Sequence, residues 1–323
     1  MGNVRVWLSA GFAAALSLAF VFTRGDAQPN TLRQIASGVW FREGDLQHAG
    51  HCNNTIIEMK DYLIVVDANF PSGARAVLED AKKISSKPVK FVFDTHHHGD
   101  HLYGNPVFTQ IGAVTIAYQG VADEMKRYEP ARFQAAAKSR QDVAELNRSA
   151  PEPPRKTFTK SPYVMTDGVR RVEFHFFGWA HTRGDGFAFL PKEKVLCTGD
   201  AAVNGPYNYT ADGNIGNWPK VMDAAMKLAP EHILPGHGPS GGPEILTGQR
   251  AFMIALHQAV EQVVRDGKKL DDIVKKDGDK LASTSIVLPD DVKNWVGDGL
   301  PQQVSDAYRE IVQKRPAGDI PHP

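Results

Sequence analysis

Four histidines and one aspartate fall within six consecutive positions of this chain, in the run His-His-His-Gly-Asp-His at residues 96–101. Imidazole and carboxylate are the ligand groups that a borderline divalent cation prefers. Alternate positions on a tight loop can aim His96 and His98 at one point, whereas His97 is turned away. The spacing therefore predicts a metal site, with His97 either supporting a ligand from behind or exposed to solvent.

The histidine cluster directly follows an apolar run. Residues 89–93, Val-Lys-Phe-Val-Phe, predict a buried strand that delivers the cluster at its end. A fortuitous His-rich surface loop and the remnant of an affinity tag are the alternatives. A tag lies at a terminus and lacks a preceding buried strand, so the metal interpretation is favoured.

One loop cannot complete a coordination shell, so other segments must contribute ligands. Three later segments each place a ligand type beside glycine after an apolar stretch. They are Ala180-His181-Thr-Arg-Gly-Asp185, Val195-Leu-Cys-Thr-Gly-Asp200 and Leu234-Pro-Gly-His237-Gly. Glycine lets the backbone turn sharply there, so that a side chain at the end of a strand can face a shared cleft.

The ordered set His-x-His-x-Asp-His, His, Thr-Gly-Asp and Pro-Gly-His-Gly resembles the metallo-β-lactamase superfamily over roughly residues 38–240. The resemblance implies an α/β fold, a four-layer αββα sandwich with two mixed sheets face to face, helices outside and metals at one edge. It also implies an enzyme, a metal-dependent hydrolase.

The resemblance assigns two Zn²⁺ ions per chain to seven side chains. One zinc would be held by His96, His98 and His181, the other by Asp100, His101 and His237, and Asp200 would bridge both. Such a pair lowers the pKa of a shared water towards ~7 and supplies hydroxide. Asp100 would also orient that hydroxide and pass a proton to the leaving group as a catalytic residue. Iron or manganese can occupy the same ligand types.

The loop at residues 204–214 follows Asp200 and is rich in aromatic residues. Tyr207, Tyr209 and the nearby Trp218 are predicted to form part of the wall of a pocket for a small-molecule substrate. Aromatic walls favour an organic substrate over a bare phosphate, and ordinary surface packing is the alternative.

Two positions bear on the reaction. Family members that open penicillin-like rings have Cys or Ser in place of Asp200, and one group has Lys in place of Val203. Asp200, in place of Cys or Ser, resembles family members that cleave thioesters, lactones and phosphodiesters.

We therefore predict an exported dinuclear zinc hydrolase that attacks an ester, lactone, thioester or lactam carbonyl by a metal-bridging hydroxide. The alternatives are a mononuclear iron oxidoreductase that resembles persulfide dioxygenases, and a non-catalytic binding protein.

The first residues resemble a targeting segment. Arg5 precedes an apolar run at residues 6–22, and Gly25-Asp26-Ala27 offers small residues to a signal peptidase. We predict a signal peptide at residues 1–27, a periplasmic or secreted protein, and no stable membrane insertion after cleavage. An uncleaved membrane anchor is the alternative.

The chain of 323 residues, with 42% hydrophobic content, can bury a substantial core. We predict a metallo-β-lactamase-type domain at residues 28–242 and a helical extension at 243–323, with helices over residues 246–265, 270–276 and 302–314. A helical insertion at about 119–156, predicted as a pair of helices, would form either a wall over the metal cleft or a solvated decoration. The zero formal net charge argues against a nucleic-acid surface, whereas the oligomeric state and the pairing of Cys52 with Cys197 stay open.

Overall fold

A computed structural model describes residues 29–320 of the chain. The predicted signal peptide at residues 1–27 lies outside the described residues. Within residues 29–320, no helix has both the length and the apolar character that a membrane crossing requires.

The first sheet has seven strands, which follow one another in sequence order across the sheet. Strands β1 to β4 pair antiparallel, and β4 to β7 pair parallel. The strands are β1 Leu32–Ala36, β2 Val39–Arg42, β3 Asn54–Glu58, β4 Leu63–Val66, β5 Val89–Asp94, β6 Val114–Tyr118 and β7 Lys156–Phe158.

The second sheet has five strands in the order β12-β11-β10-β9-β8. Its pairs are antiparallel except for β11 with β12, which is parallel. A separate two-stranded hairpin, β13 with β14, lies near the C-terminus. The strands are β8 Tyr163–Thr166, β9 Arg171–Phe176, β10 Gly186–Leu190, β11 Val195–Gly199, β12 His232–Pro235, β13 Val274–Asp277 and β14 Lys280–Thr284.

Ten α-helices and two short 3-10 helices, at Asp290–Trp295 and Ala317–Asp319, accompany the strands in the described part of the chain. The α-helices are α1 Leu46–Ala49, α2 Pro71–Ile84, α3 Gly99–Leu102, α4 Asn105–Thr109, α5 Gln119–Ser139, α6 Gln141–Ala144, α7 Trp218–Met226, α8 Glu244–Arg265, α9 Leu270–Ile273 and α10 Leu300–Gln313.

Side chains alternate between two buried faces along the strands, and this alternation builds the layers. On β4, Ile64 packs in the core between the two sheets, together with Phe174 of the second sheet. Leu63 packs on the opposite face, in a cluster with Val77 of α2. The outer face of the second sheet is covered in the same way by α7, α8 and α10. The predicted αββα sandwich is confirmed.

The segments outside the sandwich differ in detail from the prediction. The insertion consists of one long helix, α5, followed by the single turn of α6, rather than a helical pair. In the extension, α8 and α10 form as predicted, but a helix predicted over residues 270–276 ends at Ile273. The chain continues as β13 because Gly278, at φ +58°, makes the tight turn into β14.

The two cysteines do not pair. Cys52 and Cys197 are both buried and free. Burial raises the pKa of each thiol to about 12, so both are neutral at physiological pH. The Cys197 thiol donates a hydrogen bond to the Thr55 hydroxyl at 3.4 Å, across the two sheets.

Candidate metal centre

The side chains predicted as ligands meet at one edge of the sandwich, because each follows the carboxyl end of a strand. The histidine cluster follows β5, His181 follows β9, Asp200 follows β11 and His237 follows β12. Strands β9, β11 and β12 run in the same direction, so their ends lie at the same edge of the second sheet. A backbone hydrogen bond from Gly186 N–H to Thr95 O, at 2.7 Å, joins this edge to the first sheet.

The first donor group consists of His96, His98 and His181. Their ligand nitrogens all lie within 4.8 Å of one another. The His98 Nδ1 and His181 Nε2 atoms are 2.9 Å apart. His96 and His181 are each 1% exposed, so these two imidazoles are removed from bulk water, whereas His98 lines the cavity beside them.

The second donor group consists of Asp100, His101 and His237, whose ligand atoms also lie within 4.8 Å of one another. Asp100 Oδ2 is 3.1 Å from His237 Nε2 and 3.4 Å from His101 Nε2. The group therefore combines one carboxylate with two imidazoles.

The carboxylate of Asp200 lies between the two groups. Its Oδ2 atom is 3.9 Å from His96 Nε2 and 3.8 Å from His181 Nε2 on one side. On the other side, Oδ2 is 3.4 Å from His237 Nε2 and Oδ1 is 3.3 Å from His101 Nε2. The structure thus brings all seven predicted ligands together around one central carboxylate.

The geometry and chemistry of these side chains fit the binding of divalent cations. With bonds of ~2.0–2.1 Å, donor atoms of a tetrahedral zinc site lie ~3.4 Å apart, close to the spacings observed here. His96 Nε2, His101 Nε2 and Asp200 Oδ1 are buried and have no hydrogen-bond partner among the described residues. Buried polar atoms without a partner are rare, and three that converge on one point indicate a shared ligand.

The electrostatics of the two groups differ. Burial lowers the pKa of His181 to about 3, and it lowers the pKa of His96 well below its usual value. Both imidazoles are therefore neutral and able to coordinate. Burial also disfavours the charged form of His237, but the Asp200 and Asp100 carboxylates outweigh it and raise the pKa of His237 to about 9. The second group thus attracts positive charge more strongly than the first.

Three of the imidazoles are held through the ring nitrogen that faces away from the centre. His101 Nδ1–H donates to Asp67 Oδ2 at 2.8 Å, and His181 Nδ1–H donates to the Tyr209 carbonyl oxygen at 2.9 Å. His98 Nε2–H donates to Asp212 Oδ2 at 2.8 Å. Each bond selects the tautomer whose other nitrogen carries a lone pair towards the centre.

Asp67 and Asp212 were not predicted as site residues from the sequence. Asp67 follows the apolar strand β4 just as the ligands follow their strands, and this pattern is a signal that could have identified it. Asp212 lies in the loop at residues 204–214, which follows Asp200, and no local sequence pattern distinguishes it from its neighbours. Its role depends on contacts with distant parts of the chain.

His97 faces away from the donor atoms, as the alternation predicts, but it is not exposed. Its ring is fully buried and lies beside Tyr128, with centroids 5.9 Å apart. Burial lowers the pKa of His97 to about 4, so the ring is neutral. His97 Nε2 lies 3.6 Å from Asp212 Oδ2, which connects the ring to the groups behind His98.

Glycines permit the close packing around Asp200. Gly199 has φ +51°, a left-handed conformation that turns the chain directly before the carboxylate. A Cβ added at Gly236 would collide with Asp200 Oδ1 and with the backbone of Gly199. The two glycines therefore allow β11 and β12 to place Asp200 and His237 side by side.

A cavity of about 400 Å³ opens onto Asp200, Asp100, His237 and His98, and so reaches both donor groups. Tyr207 and Tyr209 lie on its wall, whereas their contact with a substrate stays a prediction. Trp218 does not line it, which corrects the sequence-based assignment. This residue begins α7, and its ring is fully buried, with Nε1–H donating to the Ala201 carbonyl oxygen at 2.7 Å.

The insertion contributes a wall of this cavity. Glu129, Arg132 and Ala136 of α5 line it. Of the two interpretations of the insertion, the structure therefore favours the wall over a solvated decoration.

We expect Asp67→Asn to weaken binding of the cation held by the second donor group by roughly 10–100-fold, which is typical for loss of a partner that orients a ligand. The amide keeps the size of the carboxylate but removes the charge that accepts His101 Nδ1–H and the Thr95 hydroxyl proton. Competition with a chromophoric zinc chelator measures the change. Unaltered affinity in a folded variant would show that Asp67 does not orient His101.

Comparison with known proteins agrees with this architecture. The family model described as the metallo-beta-lactamase superfamily matches residues 49–239. The metallo-beta-lactamase from Pontibacter korlensis has 21% sequence identity and a TM-score of 0.57, covering 69% of this chain and 98% of that chain. The enzyme from Hirschia baltica has 19% identity and a TM-score of 0.55, covering 70% of this chain and 98% of that chain.

A third similar structure is FIM-1 from Pseudomonas aeruginosa in the mono-zinc form, with 21% identity and a TM-score of 0.55, covering 72% of this chain and 98% of that chain. Fold and site together define a metal-binding protein built on an αββα sandwich. The chain belongs to the metallo-β-lactamase superfamily.

Proposed function

We propose that this protein is a dinuclear zinc hydrolase that cleaves an ester, lactone, thioester or lactam carbonyl. The observation that carries the proposal is the position of Asp200 between two complete donor groups, each with three further side chains. Family membership supports a metal-dependent hydrolase.

The side chains of the two donor groups have different roles in the proposed reaction, because their charges and positions differ. Two cations bound here would lower the pKa of a shared water towards ~7 and polarise the carbonyl under attack. An imidazole ligand carries no negative charge, so the first donor group would bind a cation without cancelling its positive charge. Asp100, whose side chain is 21% exposed, lines the cavity and can orient a nucleophilic water and later give a proton to the leaving atom.

The cavity favours substrates without a carboxylate near the reacting bond. Val203, at the position where one group of lactam-cleaving relatives has Lys, is fully buried in the core. Among the described residues that line the cavity, Arg132 is the one Lys or Arg side chain, and both of its terminal nitrogens bond to Asp212. The walls carry aromatic and aliphatic side chains, namely Leu46, Phe70, Tyr103, Tyr207 and Tyr209.

Metal analysis followed by a substrate panel tests the proposal. We expect two zinc ions per chain and hydrolysis of at least one neutral ester, lactone or thioester, with a carboxylate-bearing lactam as the comparison substrate. The alternative of an iron persulfide dioxygenase-like enzyme predicts one iron per chain and oxygen uptake with a persulfide. That result, or tight substrate binding without turnover, would contradict the proposal.

We expect Tyr209→Ala to raise KM for an apolar acyl substrate by roughly fivefold, or about 1 kcal/mol, with a smaller change in kcat. The Tyr209 side chain is 43% exposed on the cavity wall, and its ring lies 5.5 Å from the His98 ring. Tyr209→Phe, which keeps the ring, is the matched control and should retain the KM of the parent. Equal KM values for all three proteins would remove Tyr209 from the substrate pocket.

We also propose that the protein acts in the periplasm or outside the cell. Arg5 and the apolar run at residues 6–22 support this proposal. Cell fractionation, with N-terminal sequencing of the purified protein, tests it and distinguishes cleavage near Ala27 from an uncleaved anchor.

A further inference from the structure

One loop supports two of the three histidines in the first donor group. We define the site loop as residues 204–216. Its Tyr209 carbonyl oxygen accepts the Nδ1–H of His181 at 2.9 Å, and its Asp212 Oδ2 accepts the Nε2–H of His98 at 2.8 Å. A shift of this loop would therefore turn both imidazoles away from their shared centre.

Asp212 is fixed from behind by the insertion. Its side chain is 1% exposed, and Arg132 of α5 bonds it at two points, with Nη1 to Oδ2 at 2.6 Å and Nη2 to Oδ1 at 2.9 Å. Two parallel hydrogen bonds between guanidinium and carboxylate fix orientation as well as distance. The Asp212 carbonyl oxygen is also held, by Trp179 Nε1–H at 2.9 Å.

The C-terminal extension holds the same loop through α10. The Thr210 hydroxyl donates to Asp306 at 2.7 Å, and the Gln303 amide donates to the Asn208 carbonyl oxygen at 2.7 Å. Glu310 accepts the backbone N–H of Gly216 at 2.7 Å. Residues of the insertion and of the extension thus converge on the loop behind His98 and His181.

Arg132 also lines the cavity, so a direct role in binding an anionic substrate is the competing interpretation. The distances favour a role in holding Asp212 over a role in binding substrate. Both terminal nitrogens of Arg132 lie within 2.9 Å of Asp212, and Nη1 also lies 3.5 Å from Glu129 Oε1. Recruiting the guanidinium to a substrate would leave the buried Asp212 charge without its cation, which is strongly unfavourable.

We propose that Arg132 and Asp212 are positioning residues that set the orientation of His98, so that the insertion controls how tightly the first donor group binds its cation. This inference rests on the metal centre of the proposed function and not on any substrate. Loss of a residue that orients a metal ligand through a hydrogen bond typically weakens metal affinity by ~10–100-fold.

Cobalt(II) titration of the metal-free full-length protein tests the proposal, because the visible absorption of bound cobalt reports ligand geometry without any turnover. We expect Asp212→Asn to weaken binding at one of two sites by roughly 10–100-fold and to change the absorption bands of that site. Arg132→Lys keeps the charge but loses the paired hydrogen bonds, and we expect a smaller weakening of the same site.

Asp223→Asn is the matched control, since it removes a carboxylate that Arg250 bonds through two nitrogens, at 2.7 and 3.4 Å, between α7 and α8. It should leave both cobalt affinities unchanged. Unchanged affinity and spectrum in folded Asp212→Asn would overturn the proposal, as would equal weakening of both sites. If Asp212→Asn does not fold, Arg132→Lys decides by the same criteria. A protein that shows the expected cobalt changes but hydrolyses nothing would refute the proposed reaction and leave this inference standing.

Discussion

Replacing His181 by alanine is expected to lower hydrolysis by on the order of 10³-fold and to reduce the bound metal to one ion per chain. His181 Nε2 lies 2.9 Å from His98 Nδ1, and no other side chain in the first donor group could take its place. Loss of one metal removes a contribution of several kcal/mol to the stabilisation of the transition state, and each ~1.4 kcal/mol is a factor of ten in rate. Elemental analysis and kcat/KM with the best substrate of the panel measure both effects.

His175→Ala is the control for this variant. His175 is also a buried histidine, but it lies on β9, where its Nε2 is 3.0 Å from Glu173 and its ring stacks on Phe177. It makes no contact with the donor groups, so both metals and most of the activity should be retained. Full activity of His181→Ala with two metals bound would refute the assignment of the first donor group.

Asp100→Asn is expected to lower kcat by roughly 10²–10⁴-fold, the usual contribution of a residue that transfers protons, while two metals remain bound. The amide oxygen can still face His237 Nε2, which lies 3.1 Å from the Asp100 carboxylate, but an amide cannot accept and return a proton. Rapid-mixing kinetics and elemental analysis of the same preparation separate a lost proton transfer from a lost metal.

The choice of leaving group provides the control for Asp100→Asn. A substrate with a good leaving group, which departs without protonation, should be much less affected than one with a poor leaving group. A variant that keeps two metals and wild-type kcat on both substrates would show that Asp100 transfers no proton. An equal loss on both would assign Asp100 to orienting the nucleophilic water alone.

Single strands and the histidine cluster could be predicted from local patterns in the sequence, whereas the αββα fold and the full set of seven donor side chains were inferred from the family resemblance. The apolar run at residues 89–93 is long enough and regular enough to identify β5, and the cluster after it consists of side-chain types that bind divalent cations. Helix α2 begins at Pro71, and proline is typical of the first turn of a helix. The secondary structure of the C-terminal extension was harder to predict. A hairpin with a tight turn at Gly278 forms where the sequence predicted a helix, and the turn has only a weak signal in this polar segment.

The pocket shows where local patterns are insufficient. Tyr207 and Trp218 both follow Asp200 and are both aromatic, yet the first lines the cavity and the second fills the core beneath His181. The direction of a side chain in a loop depends on what packs against the loop. No pattern of spacing within the segment contains that information.

Short motifs contain the types of donor side chain and their places at the ends of strands, so a metal site could be predicted from the amino-acid sequence. How these side chains are held depends on contacts that form in the folded protein. The contacts from His98 to Asp212 and from Asp212 to Arg132 join residues that are 114 and 80 positions apart. Such contacts exist only after the insertion has packed against the sandwich, since none of these side chains lies near its partner along the chain.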